Sequence, residues 1–456
     1  MGKHCIAVIL SLILFNMGCK DSLKEPEKAA VKEKTAPAIV KLTSHQQAEA
    51  KNVFNAWCSG CHGEKGRGDG PASAVLQVKP RNFLAEPFKI RSTASGQTPT
   101  RQDIFDTVTR GLPGTAMPSF AFLPEQDRWL AVDYVRKVAN LDAKPDPETI
   151  DLGKESTASQ DSIQRGKQVY AKMGCQQCHG PAGRGDGPSS ATLVDSLGRP
   201  IPARDYTKGE YLGGDSPAAI AMRFTSGMDG TPMPSYTGVM TSAETWDLAH
   251  YILSLRQPKP APPQDPVARG REIVNQKQCF ACHIIEGKGG DVGPSLDVAA
   301  AKLQYDWVRN FLKDPPKQGK LYYYMPYRMP QLNLKPDEIE SVVALFASLA
   351  KRSTHDAKRE IPQFEETRLS QGKLLYFLKC TECHNMGSVI PTPEAKQQGP
   401  DLIRVSDRIL YQWMPLWVNN PKQVYPQARM VDTNLTPQEV EAVQSFVWKT
   451  SLDSRK

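Results

Sequence analysis

The pattern Cys-x-x-Cys-His occurs four times in this chain of 456 residues, at Cys58 to His62, Cys175 to His179, Cys279 to His283 and Cys380 to His384. On a helix, two cysteines three apart share a face, where their thiols can bond the two vinyl groups of one porphyrin; the histidine that follows lies under the iron. This is the pattern of covalent c-type haem attachment. It predicts four haem c groups, bonded to Cys58, Cys61, Cys175, Cys178, Cys279, Cys282, Cys380 and Cys383 and ligated by His62, His179, His283 and His384. A single Cys-x-x-Cys also reads as a thiol redox pair or half a zinc site, but zinc sites pair such motifs within roughly 20 residues. Here successive motifs start 101 to 117 residues apart, each with its own histidine.

Eight of the ten cysteines belong to these motifs, and Cys5 and Cys19 lie at the extreme N-terminus, so no disulfide is expected in the mature protein. Residues 1–19 read as an export signal: basic Lys3, an apolar run from Cys5 to Phe15, then Asn16-Met17-Gly18-Cys19. Gly18-Cys19 resembles a bacterial lipobox, which implies a lipid anchor at Cys19, although Asn16 stands where that motif usually has leucine and plain signal cleavage stays open. Residues 20–44 mix Lys, Glu, Ala and Pro without apolar periodicity and are expected to form a flexible tether. No other segment reaches the roughly 18 consecutive apolar residues of a membrane helix. The body is therefore expected on the periplasmic side of a membrane, outside the cytoplasm.

Each motif opens a segment of its own, and Pro-rich or polar stretches such as Gln257 to Pro266 separate the segments. The expected domains are 45–143, 160–257, 266–352 and 367–452. Domains this small bury little core, and an enclosed haem supplies the missing apolar surface.

The segments form two types, and the types single out a sixth ligand. The first two share Gly66-Arg-Gly-Asp-Gly-Pro71 and Gly183-Arg-Gly-Asp-Gly-Pro188, followed later by Met117-Pro-Ser and Met233-Pro-Ser. Met117 lies 55 residues beyond His62, and Met233 lies 54 beyond His179. In the last two, Gly293-Pro-Ser-Leu matches Gly399-Pro-Asp-Leu, Trp307 matches Trp413, and Arg328-Met329 matches Arg429-Met430. Met329 and Met430 each lie 46 residues beyond their histidines. A methionine is more often a core filler than a ligand; these matched spacings favour Met117, Met233, Met329 and Met430 as ligands. Met325 also precedes a proline, but the shared Arg-Met, and Asn333-Leu against Asn434-Leu, favour Met329. Ligation by histidine pairs would need four spare histidines. Only His45, His250 and His355 remain beyond the signal, none repeats between segments, and all read as ordinary surface or helix residues.

Before each motif the spacing predicts a helix carrying a small residue, Ala50, Gly166, Gly270 or Gly372, and after each methionine a second amphipathic helix. Thr241-Ser-Ala-Glu244 and Thr436-Pro-Gln-Glu439 read as capping boxes opening two of these. Trp129, Trp246, Phe346 and Phe446 occupy comparable positions in the second helices, and the small residues would let the two helices cross closely.

With these features each segment resembles a class I c-type cytochrome domain, giving an all-α chain of four tandem cytochrome c domains. The first two are similar to cytochrome domains of cbb3-type oxidase subunits; the last two are closer to domains with a Gly-Pro-x-Leu turn. The resemblance implies that the carbonyls of Pro294 and Pro400 accept hydrogen bonds from His283 and His384. One departure is Val431, which replaces the proline that follows the other three methionines.

The formal charge of +8 invites a nucleic-acid or membrane-surface reading. Each haem, however, contributes about −1 oxidised or −2 reduced, so the holoprotein approaches neutrality. No basic block is long enough for a nucleic-acid arm. Arg81 and Arg204, at matched positions, are candidates to neutralise propionates, against ordinary surface placement. The expected function is electron transfer between redox proteins of a respiratory chain, because His/Met ligation fills both axial positions. Two other readings are a peroxidase or nitrogen-oxide reductase with one open haem, and a wiring subunit docked to a membrane respiratory complex.

Overall fold

The computed structural model describes residues 42–318, 327–351, 363–388, 399–426 and 428–455. The signal, residues 20–41 of the expected tether, Met325 and His355 lie outside them, whereas the last three tether residues, 42–44, are described and lead into the first helix. The fold is all-α, and the described strands are one two-residue pair, Ile284–Ile285 against Lys288–Gly289.

Four pairs of helices carry the fold: α1 (Ser44–Trp57) with α2 (Glu125–Val138), α3 (Gln160–Lys172) with α4 (Ser242–Ser254), α5 (Pro266–Gln276) with α6 (Pro336–Ala350), and α7 (Glu366–Lys379) with α8 (Pro437–Asp453). Each first helix runs into a haem motif, and its partner follows the candidate methionine. Side-chain caps fix several starts. Thr43, Ser159, Thr241 and Thr436 each accept from the backbone N–H three residues on, and the side chain of that third residue returns a bond to the cap backbone.

The crossings depend on the small residues. A Cβ placed on Gly166 would stand 2.0 Å from the Asp247 carbonyl oxygen, on Gly270 2.2 Å from that of Ser341, and on Gly372 2.0 Å from that of Ala442. Each helix backbone thus lies against its partner's backbone with no room for a methyl group. The first pair uses Ala50, which is fully enclosed.

Apolar clusters fill the four crossings. Phe54, Val132 and Val135 anchor the first, Tyr170, Trp246 and Leu248 the second, Ile273, Val343 and Phe346 the third, and Tyr376, Val447 and Trp448 the fourth. Two first-helix tyrosines also hold the motif ends: the Tyr170 hydroxyl donates to the Gly180 carbonyl at 2.7 Å, and that of Tyr376 to the His384 carbonyl at 3.1 Å.

Contacts between segments do not follow chain order. The first meets the second through fully buried Arg91, whose guanidinium bonds Asp229 Oδ1 and the Ser226 carbonyl, both at 2.8 Å, and through the Glu86–Arg199 pair at 2.6 Å. Removing Asp229 would leave this buried charge without its carboxylate partner, which is strongly destabilising. The third meets the fourth through an antiparallel bridge between Leu303 and Ile409. Its two hydrogen bonds are reciprocal: Gln304 N–H donates to the Arg408 carbonyl at 2.8 Å, and Leu410 N–H to the Lys302 carbonyl at 2.9 Å. The first also meets the third directly. Arg328 N–H donates to the Ala56 carbonyl at 3.0 Å, and a Cβ on Gly60 would stand 3.4 Å from the Tyr327 ring. Contact therefore runs from the second segment to the first, then to the third and fourth.

Candidate haem sites

All eight motif cysteines, the four motif histidines and the four candidate methionines line one continuous cavity of about 2430 Å³. A pocket for one drug-sized ligand holds roughly 300–1,000 Å³, so this space suits several large groups, and its walls are mostly apolar, as a macrocycle requires.

The histidines are oriented by backbone carbonyls. Nδ1 lies 3.1 Å from the Arg81 carbonyl oxygen in His62, 3.0 Å from that of Arg204 in His179, 2.7 Å from that of Pro294 in His283 and 2.9 Å from that of Pro400 in His384. A carbonyl only accepts, so Nδ1 carries the proton and Nε2 is left with the lone pair that a metal needs. Burial holds all four imidazoles below their ordinary value, His62 at about 4, which keeps them neutral.

The two segment types seat the ring differently. In the first two, an aromatic residue stacks on the imidazole, Phe83 on His62 at 4.7 Å and Tyr206 on His179 at 4.4 Å between centroids. In the last two, glycine supplies the space: a Cβ on Gly293 would lie 2.5 Å from His283 Cε1, and one on Gly399 2.4 Å from His384 Cε1. The second site has a further feature. The Tyr206 hydroxyl lies 3.0 Å from His179 Nε2, so a metal bond from that nitrogen would require this contact to be exchanged.

Burial raises the thiols, Cys58 and Cys282 to about 12 and Cys175, Cys279 and Cys380 to about 11. Cys282 is raised further by Cys61, across the junction between the first and third segments. Among the described residues, no three His, Cys, Asp or Glu side chains converge as a zinc site demands.

Each candidate methionine packs against the core cluster of its own segment: Met117 with Cys58 on the first, Met233 with Cys175 on the second, Met329 on the third, and Met430 with Cys380 on the fourth. The loops bearing Met117 and Met233 superpose in their bonding. Leu112 N–H donates to the Met117 carbonyl and Met228 N–H to that of Met233, both at 3.1 Å, while Thr115 and Thr231 hydroxyls accept from the two methionine N–H groups at 3.2 Å. Gly111 and Gly227 open these loops at φ 74° and 69°, where a side chain would be strained and would meet the Pro118 and Ser235 backbones.

Arg81 and Arg204 line the cavity, but their part in the histidine geometry comes from their carbonyls. The Arg81 guanidinium pairs with Glu86 at 3.3 Å and donates to the Pro87 carbonyl at 2.5 Å. Of the spare histidines, His45 is exposed beside Glu49, and His250 is buried against the Ser162 hydroxyl at 3.1 Å.

Residues 163–256 and 267–350 match the cytochrome c family, and residues 45–135 match the family described as cytochrome c oxidase, cbb3-type, subunit III. The chain is a multihaem class I c-type cytochrome. A cytochrome c domain carries covalent haem and transfers electrons. The second segment thus falls to the general cytochrome c family, although its Gly-rich loop is identical to that of the first. One solved structure, a chain of the Kuenenia stuttgartiensis reducing HAO-like protein complex, is similar at 40% identity over 48% of this chain and 98% of its own, with a TM-score of 0.45. No curated protein matches the cytochrome.

Proposed function

We propose that this cytochrome is an extracytoplasmic tetrahaem electron carrier between respiratory redox proteins. Cys58/Cys61, Cys175/Cys178, Cys279/Cys282 and Cys380/Cys383 attach the haems. His62 and Met117, His179 and Met233, His283 and Met329, and His384 and Met430 are the axial pairs. The observation that carries this reading is that every motif histidine sets Nδ1 on a backbone carbonyl, which leaves Nε2 as the nitrogen for a metal, and lines a cavity that its own segment's methionine also lines.

Covalent haem supplies the one-electron iron couple. The protein's part is to fill both axial positions, which leaves no coordination site for a substrate, and to exclude water with the apolar clusters. A thioether ligand favours ferrous iron and places such sites at higher potential than histidine pairs would. Among the described residues no helix is long and apolar enough to cross a membrane. Attachment is assigned to a lipid on Cys19, joined to the body by the tether, which suits both a carrier moving between partners and a subunit docked to a membrane complex. Intact mass of the denatured, purified protein tests the stoichiometry: four haems retained support the reading, and a smaller number contradicts it.

A further inference from the structure

We propose that Lys302, carried by the third segment, is a charge-setting residue for the haem of the fourth. The inference rests on the reading of His384 and Met430 as ligands of that haem.

Lys302 ends the helix Leu296–Lys302, nine residues beyond Gly293, and Arg408 stands nine residues beyond Gly399. The reciprocal hydrogen bonds around Leu303 and Ile409 involve the carbonyls of these same two residues and bring them to the border of both sites. There the Lys302 side chain crosses over. Its Nζ lies 5.0 Å from the ring centre of Trp413 and 5.2 Å from that of Trp417, two stacked side chains of the fourth cluster. Those rings line the cavity with His384 and Met430.

Among the described residues, no carboxylate lies within ion-pair distance of this ammonium. Burial, and then the neighbouring Arg408 charge, push it down to about 8. A part-buried cation beside a second cation is costly without an anion, and the tryptophan faces offset only part of that cost. A haem bonded to Cys380 and Cys383 brings two propionates into the same cavity. The third segment would in this way tune the fourth site, because a cation held near iron favours the more negative ferrous haem.

The test is potentiometric titration of the full-length tetrahaem protein as Lys302→Gln and Lys302→Arg, each also in a Met430→His background that marks the fourth haem by loss of its methionine–iron charge-transfer band. Lys302→Gln is expected to lower the potential of the marked haem and leave the other three nearly unmoved, while Lys302→Arg retains the wild-type value. A shift confined to an unmarked haem, or no shift at all with four haems present, would overturn the inference and leave the four-haem reading standing. An intact mass lacking the fourth haem would overturn both.

Discussion

Gly166 lies directly against the carbonyl of Asp247, so close that a Cβ would stand 2.0 Å from the oxygen. Glycine to alanine inside a helix ordinarily stabilises by roughly 0.5–1 kcal/mol. At this crossing the sign reverses, because α3 and α4 must separate, and overpacking of this kind costs about 1–3 kcal/mol. Gly166→Ala and Gly372→Ala should each lower the denaturant midpoint; an unchanged or raised midpoint would show that the helices do not meet there.

Gly399→Ala is expected to act on one site alone. The added methyl would lie 2.4 Å from His384 Cε1 and must tilt the ring away from the Pro400 carbonyl. Electron paramagnetic resonance of the oxidised protein should then show one changed low-spin signal beside three unchanged ones. Four unchanged signals would mean that the ring is not seated against this glycine.

Much of this was legible because the chain repeats itself. Gly166, Gly270 and Gly372, eight or nine residues before their motifs, announce close crossings, and the bonds from His283 and His384 to the Pro294 and Pro400 carbonyls are those the resemblance to cytochrome c domains implied. The first two sites were read less well. Arg81 and Arg204 draw attention by their charge, yet it is their carbonyls that orient His62 and His179, and any residue type supplies a carbonyl. The junction of Ala56 with Arg328, and the reach of Lys302 to Trp413, join residues far apart in the chain that no local periodicity relates.

Acid should release one defined contact. Glu244 caps α4, accepts from Lys172 at 2.7 Å, and is held at about 2 first by that ammonium and then by Thr241. Its folded value lies below the ordinary 4.5, so its contribution to stability is present above about 4.5 and lost as pH falls through about 2. Glu244→Gln should unfold at lower temperature than wild type near neutrality, and the gap should close progressively below about pH 4.5. A gap independent of pH would exclude the carboxylate as its source.

Cys19→Ser separates attachment from fold. The haem segments should still mature with their full complement, while the protein moves from the membrane fraction to the soluble fraction. Wild-type protein found soluble, with an unmodified N-terminus beyond residue 19, would rule the anchor out.

The central claim, axial closure at every iron, is tested most directly by the spin state of the oxidised wild-type protein. Met117, Met233, Met329 and Met430 predict four low-spin haems, the methionine–iron charge-transfer band for all four, and negligible binding of carbon monoxide on reduction. Replacing any one by alanine should open one site and lower one potential, since a thioether stabilises ferrous iron. The fourth site is the most demanding case, because Val431 is 72% exposed and lacks the ring that fixes φ after the other three methionines. Four low-spin signals sustain the carrier; a high-spin haem in the wild type that turns over peroxide or a nitrogen oxide would contradict it and make that haem an active site.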